Sequence, residues 1–369
     1  MTDSAERPQR RPRYQGTHPR QFAEKYKEHD PDRFADDVAK VVASGKTPAG
    51  THRPIMVREI LQVLAPQPGE FAVDCTLGYG GHARELLAAV QPNGRLLALD
   101  ADSIELPKTE ARLRTLDFPA ESLIVRRSNF AGVVSLLAAE SPEGADVLLA
   151  DLGLSSMQVD DPARGFTFKS DGPLDMRMNP SRSVSAAGLL ARIDRPQLTK
   201  LLEENADEPR ASQIATTILF AQSRQALTTT QALADVVRGI VSRLPQRPNE
   251  QVDDSVRRVF QALRIAVNDE FGVLDILLRN LPICLKSGGR VAILTFHSGE
   301  DRRVKLAFKQ GLRDGLYSSI SEEVVRASSA EQRANPRSSS AKLRFAVRAT
   351  HQHDATFSTQ CFATARFSG

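Results

Sequence analysis

The sequence predicts an α/β protein whose core is a doubly wound, mostly parallel sheet of the Rossmann-like type. Short apolar segments alternate with helical patterns at the spacing of strand–helix–strand units. Three of these segments end in a carboxylate, at Asp74, Asp100 and Asp151. Over residues 162–254 the alternation stops and only amphipathic helical patterns appear. That interruption predicts an all-helical insertion within the core.

Length and composition exclude several classes of protein. The 369 residues suffice for one large α/β domain with an insertion, or for two domains. A formal charge of +4 does not indicate nucleic-acid binding unless the basic residues cluster. Three cysteines, far apart, exclude a disulfide framework and an all-cysteine zinc site. The N-terminus is polar, and no apolar run approaches the ~20 residues that span a bilayer, which predicts a cytoplasmic protein.

The N-terminal part of the chain predicts a tail followed by four strands. Residues 1–50 are rich in Arg and Pro near their start and lack sustained periodicity, which predicts a disordered basic tail. Such a tail either touches RNA phosphates or is a solvated extension. Residues 51–161 predict the first part of the core, with strands at Phe71–Asp74, Arg95–Asp100, Ser122–Arg126 and Asp146–Asp151.

The C-terminal part, residues 255–369, predicts the second part of the core. A long helix over about Ser255–Leu281 leads to a buried strand at Arg290–Phe296. Two later segments, Leu343–Ala349 and Gln360–Arg366, predict a terminal hairpin. The stretch Ser318–Ser340, rich in Ser, Glu and Arg, predicts a loop.

A glycine-rich turn after the first strand is the strongest local sign of a cofactor site. Gly78, Gly80 and Gly81 let a ligand approach the backbone and place a helix N-terminus near it. Asp100 follows Gly81 by 19 positions, where a carboxylate accepts hydrogen bonds from the ribose hydroxyls of an adenosine. Nicotinamide dinucleotides and S-adenosylmethionine both use this arrangement, and a tight turn with a capping carboxylate is the purely structural alternative.

Two details favour S-adenosylmethionine over a nicotinamide dinucleotide. The glycine spacing departs from the Gly-x-Gly-x-x-Gly of a pyrophosphate cradle. Asp74 ends the first strand just before the turn, where its charge attracts a sulfonium or ammonium group and repels a pyrophosphate. The expected fold is therefore a class I S-adenosylmethionine methyltransferase core, and an oxidoreductase is the weakest alternative.

Several ordered sequence blocks are distinctive together: His52–Met56, Asp74–His82, Asp151–Gln158, Arg164–Phe168, Asp171–Met178, Phe260–Ile265, Phe296–Arg302 and Asn335–Ser338. With these blocks the chain resembles one family, the bacterial 16S ribosomal RNA cytosine-N4 methyltransferases (the RsmH or MraW family), which modify a decoding-centre cytidine. The resemblance runs from His52 to about Arg348, some four-fifths of the chain.

The resemblance implies a site and a substrate. It implies S-adenosylmethionine as cofactor and a cytidine of 16S ribosomal RNA, within the small ribosomal subunit, as substrate. The residues that it implies at the cofactor are Gly80, Gly81, His82, Asp100, Phe130, Asp151 and Gln158.

Three positions depart from the family pattern. Asp254-Ser255-Val256-Arg257 stand where the family usually has His-Pro-Ala-Thr, and Asn205-Ala206-Asp207-Glu208 where it has Tyr-Gly-Glu-Glu. Gly299 replaces the Leu of His-Ser-Leu-Glu-Asp. The first two lie in or beside the helical insertion, so they bear on RNA contact and leave the cofactor residues intact.

Methylation of an exocyclic amine needs an acceptor for a hydrogen of the amine, and it needs no metal. Asp151 leaves the sheet at its carboxyl edge beside the glycine turn, so it is the first candidate for this acceptor. Ser155 and Ser156 are further candidates, and their structural alternative is to cap the next helix. No cluster of metal ligands accompanies these residues, so no metal site is predicted.

The helical insertion is assigned to RNA recognition. It follows the fourth strand at its carboxyl edge, and its basic side chains either track phosphates or form a solvated face. These side chains belong to Arg192, Arg195, Lys200, Arg210, Arg224, Arg238, Arg243 and Arg247. Two other functions stay open: a methyltransferase for another nucleic acid or a protein, and a non-catalytic RNA-binding ribosome-assembly factor. The sequence does not give the oligomeric state, and a homodimer is one option.

Overall fold

The structure, a computed structural model, describes residues 54–181, 184–245, 248 and 250–350. The predicted N-terminal tail and the segment Gln360–Arg366 lie outside the described residues. Within those residues, no helix is both long enough and apolar enough to cross a membrane.

A mixed sheet forms the centre of the molecule, and the described residues contribute seven strands to it in the order β3-β2-β1-β4-β5-β7-β6. The first five strands of that order are parallel, and β7 runs antiparallel to both of its neighbours. The doubly wound, mostly parallel core is therefore confirmed. The strands are β1 Phe71–Asp74, β2 Arg95–Asp100, β3 Leu123–Arg127, β4 Ala145–Asp151, β5 Leu285–Thr295, β6 Tyr317–Ile320 and β7 Lys342–Arg348.

Helices flank both faces of the sheet and fill the interval between β4 and β5. In chain order, the α-helices of the described residues are α1 Val57–Leu64, α2 Gly81–Ala89, α3 Glu105–Arg114, α4 Val133–Glu140, α5 Ser156–Asp160, α6 Ala186–Leu190, α7 Arg195–Ala206, α8 Ala211–Arg224, α9 Thr230–Val241, α10 Val252–Asn268, α11 Glu270–Cys284, α12 Ser298–Arg313 and α13 Ser329–Ala334. Several of these helices begin after a residue whose side chain accepts a hydrogen bond from a backbone amide of the first turn. Asp194 and Gln197 form a reciprocal capping box at the start of α7, for example.

The two faces of the sheet carry separate apolar layers because the central strands are buried on both sides. Helix α11 packs on one face through Leu277 and Leu281, both fully buried. Helices α1 and α2 pack on the other face through residues such as Ile60 and Leu86. Alternate residues of one strand serve the two layers, so Leu148 of β4 faces the first and Leu149 the second.

A third apolar cluster lies among the helices between β4 and β5. Helices α7, α8 and α9 contribute residues such as Leu202, Ile214 and Val237. Helix α10 contributes Val259 and Leu263 to the same cluster. The predicted boundary at residue 254 falls in the first turn of α10, so this helix continues the helical cluster and then leads into the core. The division of the chain into four segments stays a prediction.

The predicted terminal hairpin is wrong in the part that the structure describes. Strand β7 pairs with β5 on one side and with β6 on the other. The stretch Ser318–Ser340, predicted as a loop, contains most of β6 and all of α13. Its polar composition concealed the strand because β6 lies at the sheet edge, where Tyr317 is buried and the two residues after it are exposed.

The layered core makes one prediction about stability. Replacing the fully buried Leu281 with Ala should cost about 2–5 kcal/mol of unfolding free energy, because the cavity removes contacts on the sheet face. Leu306→Ala is the matched control, since that side chain is 61% exposed and its loss should change stability by about 0.5 kcal/mol or less. Urea denaturation measures both variants, and equal losses would contradict the assignment of Leu281 to the core.

Candidate functional site

Three carboxylates meet at one edge of the sheet. Asp100, Asp74 and Asp151 end β2, β1 and β4, which are adjacent parallel strands. The order of strands reverses between β1 and β4, so the chains leaving these two strands diverge and open a crevice there. The structure therefore brings together the acids that the sequence singled out, at the position where such sheets bind ligands.

The glycine turn between β1 and α2 shapes the floor of this crevice. Gly78 and Gly80 have positive φ angles of 48° and 73°, which favour glycine. A Cβ on Gly80 would lie 3.0 Å from Thr109 Cγ2, and one on Gly81 would lie 2.9 Å from Pro54 Cγ. A side chain at Gly80 or Gly81 would therefore crowd its neighbours, and at Gly80 the positive φ angle disfavours one as well.

Asp100 is held by two backbone amides. Its Oδ2 accepts a hydrogen bond from Gly78 N at 2.7 Å, and its Oδ1 accepts one from Asp102 N at 2.8 Å. Burial raises the pKa of Asp100 even though these amides favour the charged form. Each carboxylate oxygen has a second lone pair, so the fixed group retains capacity to accept hydrogen bonds from a ligand.

Phe130 lies near the same strand end. It begins a short 3₁₀ helix, Phe130–Gly132, two residues after Ser128, whose backbone N–H donates to Asp100 O at 3.0 Å. The Phe130 ring is partly buried against the apolar layer that includes Leu137. Its predicted place beside an adenine stays a prediction.

A threonine connects the other two acids. Asp74 Oδ1 accepts from Thr76 N at 3.0 Å, and Thr76 Oγ1 accepts from Asp151 N at 2.7 Å. Asp74 Oδ2 is buried and has no hydrogen-bond partner among the described residues. Burial raises the pKa of Asp74 to about 6, and this effect outweighs the opposing influence of His82 and Thr76.

Asp151 also has a raised pKa. Its Oδ1 is buried and lacks a partner in the described part of the chain, while 28% of the side chain remains exposed. Burial, and then the charge of Glu300, raise its pKa to about 7. A carboxyl with this pKa exchanges a proton readily at neutral pH, as a general base must.

Both ring nitrogens of His82 face the protein. Nε2 lies 2.9 Å from Ile55 O, and Nδ1 lies 3.4 Å from Asp151 Oδ2. The ring is buried, with 8% of its area exposed, and burial lowers the pKa of His82. The imidazole is therefore turned toward the acid that ends β4.

The segment after Asp151 is tied to β2 through a buried acid. Ser155 N donates to Gln158 Oε1, and Gln158 Nε2 donates to Asp102 Oδ2 at 2.6 Å. Ser155 Oγ accepts from Gln158 N, as in the capping alternative for this serine, and Ser156 is the first residue of α5. The catalytic and cofactor roles predicted for Ser155, Ser156 and Gln158 stay predictions.

Asp102 and Arg164 adjoin the site, and neither had a role assigned to it from the sequence. Arg164 Nη1 donates to Asp102 Oδ2 at 3.0 Å, and Arg164 Nη2 donates to the carbonyl oxygens of Arg177 and Met178. Asp102 is 1% exposed. The sequence offered one signal for Asp102, which is its position two residues after the strand-end acid Asp100.

A second group of charged residues lies behind Asp151. His297 Nε2 is buried and lies 3.2 Å from Glu300 Oε1, but the two groups are not oriented to form a hydrogen bond. Glu270, His297 and Glu300 are close enough together to hold a metal ion. Arg264, however, donates to both carboxylate oxygens of Glu270 at 2.8 Å, so the guanidinium already provides the positive charge there.

Comparison with known proteins identifies the family of the chain. Residues 49–349 match the model of the MraW methylase family. The chain belongs to this family. The "Ribosomal RNA small subunit methyltransferase H 2" of Alkaliphilus metalliredigens is 47% identical over 95% of this chain and 100% of that protein. The "Ribosomal RNA small subunit methyltransferase H 1" of Lachnoclostridium phytofermentans is 47% identical over 92% of this chain and 93% of that protein.

The family match confirms the resemblance found in the sequence, and S-adenosylmethionine is the expected cofactor of this methylase. A solved structure, a putative rRNA-methylase from Clostridium thermocellum, covers 81% of this chain and 99% of that chain at 12% identity, with a TM-score of 0.37. That likeness is too low to carry an argument, and the fold rests on the strand order and directions described above.

The residues of the crevice fit S-adenosylmethionine. Asp74 Oδ2 and Asp151 Oδ1 are buried acceptors that find no partner within the described residues. A buried acceptor of this kind is costly unless a ligand satisfies it, and S-adenosylmethionine carries both an ammonium and a sulfonium. Asp100 retains lone pairs for the ribose hydroxyls at the end of β2.

The departures from the family pattern adjoin one another. Ser255 Oγ donates to Glu208 Oε1 at 3.2 Å, so the segments that contain the first two departures are in direct contact. Asp207 Oδ2 accepts from Ser298 Oγ at 3.0 Å, next to the third departure at Gly299. These residues join the helical cluster to the start of α12, and none of them replaces a strand-end acid.

The raised pKa of Asp151 predicts the pH dependence of stability. The pKa of Asp151 is about 7 in the folded protein and 3.8 ordinarily. Between these two pH values the folded protein therefore holds a proton on Asp151 that the unfolded chain has lost. Stability therefore falls as pH rises from about 4 to about 7. Asp151→Asn removes this loss of stability and should raise Tm at pH 8, by roughly 1–2 °C per kcal/mol recovered, with a smaller gain at pH 5.

Asp102→Asn is the control of opposite sign. Burial alone would raise the pKa of Asp102, but the hydrogen bond from Gln158 and the charge of Arg164 outweigh it and lower the pKa. Its stabilising contribution is present above the unfolded pKa and is lost in acid, so this variant should lower Tm at pH 8. Thermal scans at both pH values test the pair, and a lower Tm for Asp151→Asn at pH 8 would contradict the assignment.

Proposed function

We propose that this methylase transfers a methyl group from S-adenosylmethionine to the exocyclic N4 of a cytidine in the decoding region of 16S ribosomal RNA. The observation that carries the proposal is the carboxyl group of Asp151, whose Oδ1 is buried without a hydrogen-bond partner among the described residues, at the edge of the sheet where the other two strand-end acids converge. The names of the relatives that are 47% identical support ribosomal RNA of the small subunit as substrate. The family resemblance supports the cytidine.

The demands of the reaction match the properties of Asp151. The N4 lone pair of cytosine is delocalised into the ring, so an acceptor must take a hydrogen of the amine as the nitrogen attacks the methyl carbon. S-adenosylmethionine, when bound, supplies a methyl group that its sulfonium has already activated. Asp151 accepts the hydrogen, and its pKa of about 7 suits a base that works near neutral pH. The base reaches the site unstacked, as for other base-modifying enzymes.

The cofactor is held by the neighbouring strand ends. Asp100, fixed by the amides of Gly78 and Asp102, accepts from the ribose hydroxyls. Asp74 provides the negative charge for a cationic part of the cofactor through its unpartnered Oδ2. The positive φ angle of Gly80 lets the turn pass close beneath it.

The helices between β4 and β5 serve RNA recognition. Of the basic residues singled out in the sequence, Arg210 is buried and pairs with Glu250, and Arg238 pairs with Asp253, so neither is available to phosphates in this arrangement. Others of the set remain exposed, and within the described residues no hydrogen bond or ion pair engages their side chains. These are Arg192, Arg195 and Arg243.

Loss of Asp100 should weaken cofactor binding. Asp100→Ala removes a charge-assisted acceptor and should cost about 1.5–3 kcal/mol of binding free energy, which is roughly 10- to 150-fold in Kd. Calorimetric titration with S-adenosylmethionine measures the change. Asp117→Ala, an exposed acid outside the crevice, is the control and should bind as the parent does. An unchanged Kd in a folded Asp100→Ala protein would remove Asp100 from the site.

The catalytic proposal is tested by methyl transfer from labelled cofactor to undermethylated small subunits, with digestion and identification of the product nucleoside. N4-methylated cytidine is expected for the parent protein. Asp151→Asn should lower the single-turnover rate by about 10²-fold or more, since the amide is no base. Methyl transfer to another nucleoside or to protein would identify a different substrate. Cofactor binding without any transfer would favour the assembly-factor alternative.

Exposed arginines of the helical cluster should contribute to binding of the small subunit. The double change Arg192→Glu and Arg195→Glu should weaken binding and reduce its salt dependence by about one counterion per lost phosphate contact. The control carries the same charge change on α12, at the exposed Lys305 and Lys309. Filter binding at several salt concentrations compares them, and an equal loss in both would point to net charge in place of a local surface.

A further inference from the structure

The imidazole of His82 has a tautomer that its surroundings determine. Nε2 lies 2.9 Å from the carbonyl oxygen of Ile55. A carbonyl oxygen only accepts hydrogen bonds, so Nε2 must carry a hydrogen. Burial lowers the pKa of His82, which favours the neutral ring with a single N–H. With its one hydrogen on Nε2, the ring presents the lone pair of Nδ1.

That lone pair faces the reactive acid. Nδ1 lies 3.4 Å from Asp151 Oδ2. When Asp151 is ionised, two acceptors oppose each other, which is unfavourable in a site of low polarity. When Asp151 is protonated, its O–H can donate to Nδ1 and the conflict disappears. Since 28% of the Asp151 side chain is exposed, a substrate proton can reach the Oδ2 atom that lies beside Nδ1.

Acidic groups from several elements act on the pair. The charges of Asp74 at the end of β1, Glu331 of α13 and Glu85 of its own helix α2 each raise the pKa of His82 against the effect of burial. The charge of Glu300 of α12 raises the pKa of Asp151. Negative charge from several directions favours a proton within the pair. Glu331 is itself held in place by a hydrogen bond from Met56 N at 2.8 Å.

We propose that His82 is a positioning residue for the methyl transfer, and that its Nδ1 accepts the hydrogen of the Asp151 carboxyl group so that the two side chains together hold the proton released by the substrate amine. The inference rests on the proposed function, because it gives His82 a part in accepting a proton from an amine. It also gives the imidazole a role apart from any backbone contact of the glycine turn with the cofactor.

The step balances. The amine nitrogen forms its bond to the methyl carbon with its own lone pair and loses one proton, which Asp151 Oδ2 takes. The electrons of the broken carbon–sulfur bond remain on sulfur, which becomes a neutral thioether. The proton stays between Oδ2 and Nδ1 and then leaves to water, since 28% of the Asp151 side chain is exposed.

The first test uses the full chain without substrate, so it does not depend on the proposed function. Long-range ¹H–¹⁵N correlation spectra give the tautomer of each histidine ring, and the signal that His82→Gln removes identifies His82. The Nε2–H tautomer is expected throughout pH 5.5–8.5. The Nδ1 shift should change with a midpoint near pH 7, because Nδ1 receives a hydrogen bond only while Asp151 is protonated.

Matched substitutions decide whether the change in Nδ1 reports Asp151. The change should vanish in Asp151→Asn and persist in Asp146→Asn, which alters the same strand at its opposite end. An Nδ1–H tautomer, or an unchanged midpoint in Asp151→Asn, would overturn the inference.

A kinetic test separates the proton role from support of the fold. A Gln side chain at position 82 can donate to Ile55 O as Nε2 does, but it lacks an acceptor at the Nδ1 position. His82→Gln should keep the Kd for S-adenosylmethionine within a few-fold and lower the single-turnover rate about 10-fold or more. Its pH–rate midpoint should move to lower pH, because the protonated Asp151 loses its acceptor.

The outcomes distinguish the two proposals. An unmoved pH–rate midpoint in an active His82→Gln protein would overturn the inference while leaving the proposed function intact. The expected spectra together with a product other than N4-methylated cytidine would overturn the proposed function and leave the proton-sharing pair in place.

Discussion

The reversal of strand order between β1 and β4 is the constraint on which the rest of this structure depends. Parallel strands present their carboxyl ends at one edge, and the chains leaving these two strands turn to opposite faces of the sheet. Acids that end neighbouring strands are thereby gathered around a crevice without any long-range pairing of their side chains. Thr76 then fixes the distance between the ends of β1 and β4. Its hydroxyl oxygen accepts a hydrogen bond from the Asp151 amide, and its backbone amide donates one to the Asp74 carboxylate.

Much of this arrangement was predictable because it depends on local patterns. A short apolar run ending in a carboxylate predicts both a strand and the side at which its acid emerges, and Asp74, Asp100 and Asp151 all follow that rule. The glycine turn was equally visible, since positive φ angles at Gly78 and Gly80 restrict the choice of residue.

Other features could not be predicted because they depend on contacts between distant parts of the chain. The sequence around Asp102 does not distinguish it from an exposed loop acid, because its partner Arg164 lies 62 residues later in the chain. The orientation of His82 depends on the Ile55 carbonyl, 27 residues earlier. Strand β6 was overlooked because an edge strand needs few apolar residues, and the pairing of β7 between two antiparallel partners has no signature in its own sequence.

The salt bridge between Asp102 and Arg164 has a consequence for how the parts of the molecule move. Asp102 is 1% exposed, and the Arg164 side chain is 10% exposed. Moving the segment after α5 away from β2 would leave the buried Asp102 carboxylate without its cationic partner, at a cost of several kcal/mol. Arg164 also donates hydrogen bonds to the backbone carbonyls of Arg177 and Met178, at the entry to the helical cluster. The Arg164 side chain therefore connects the backbone at the entry to the helical cluster with the loop beside Asp100, so that displacing either one requires movement of the other or loss of these contacts.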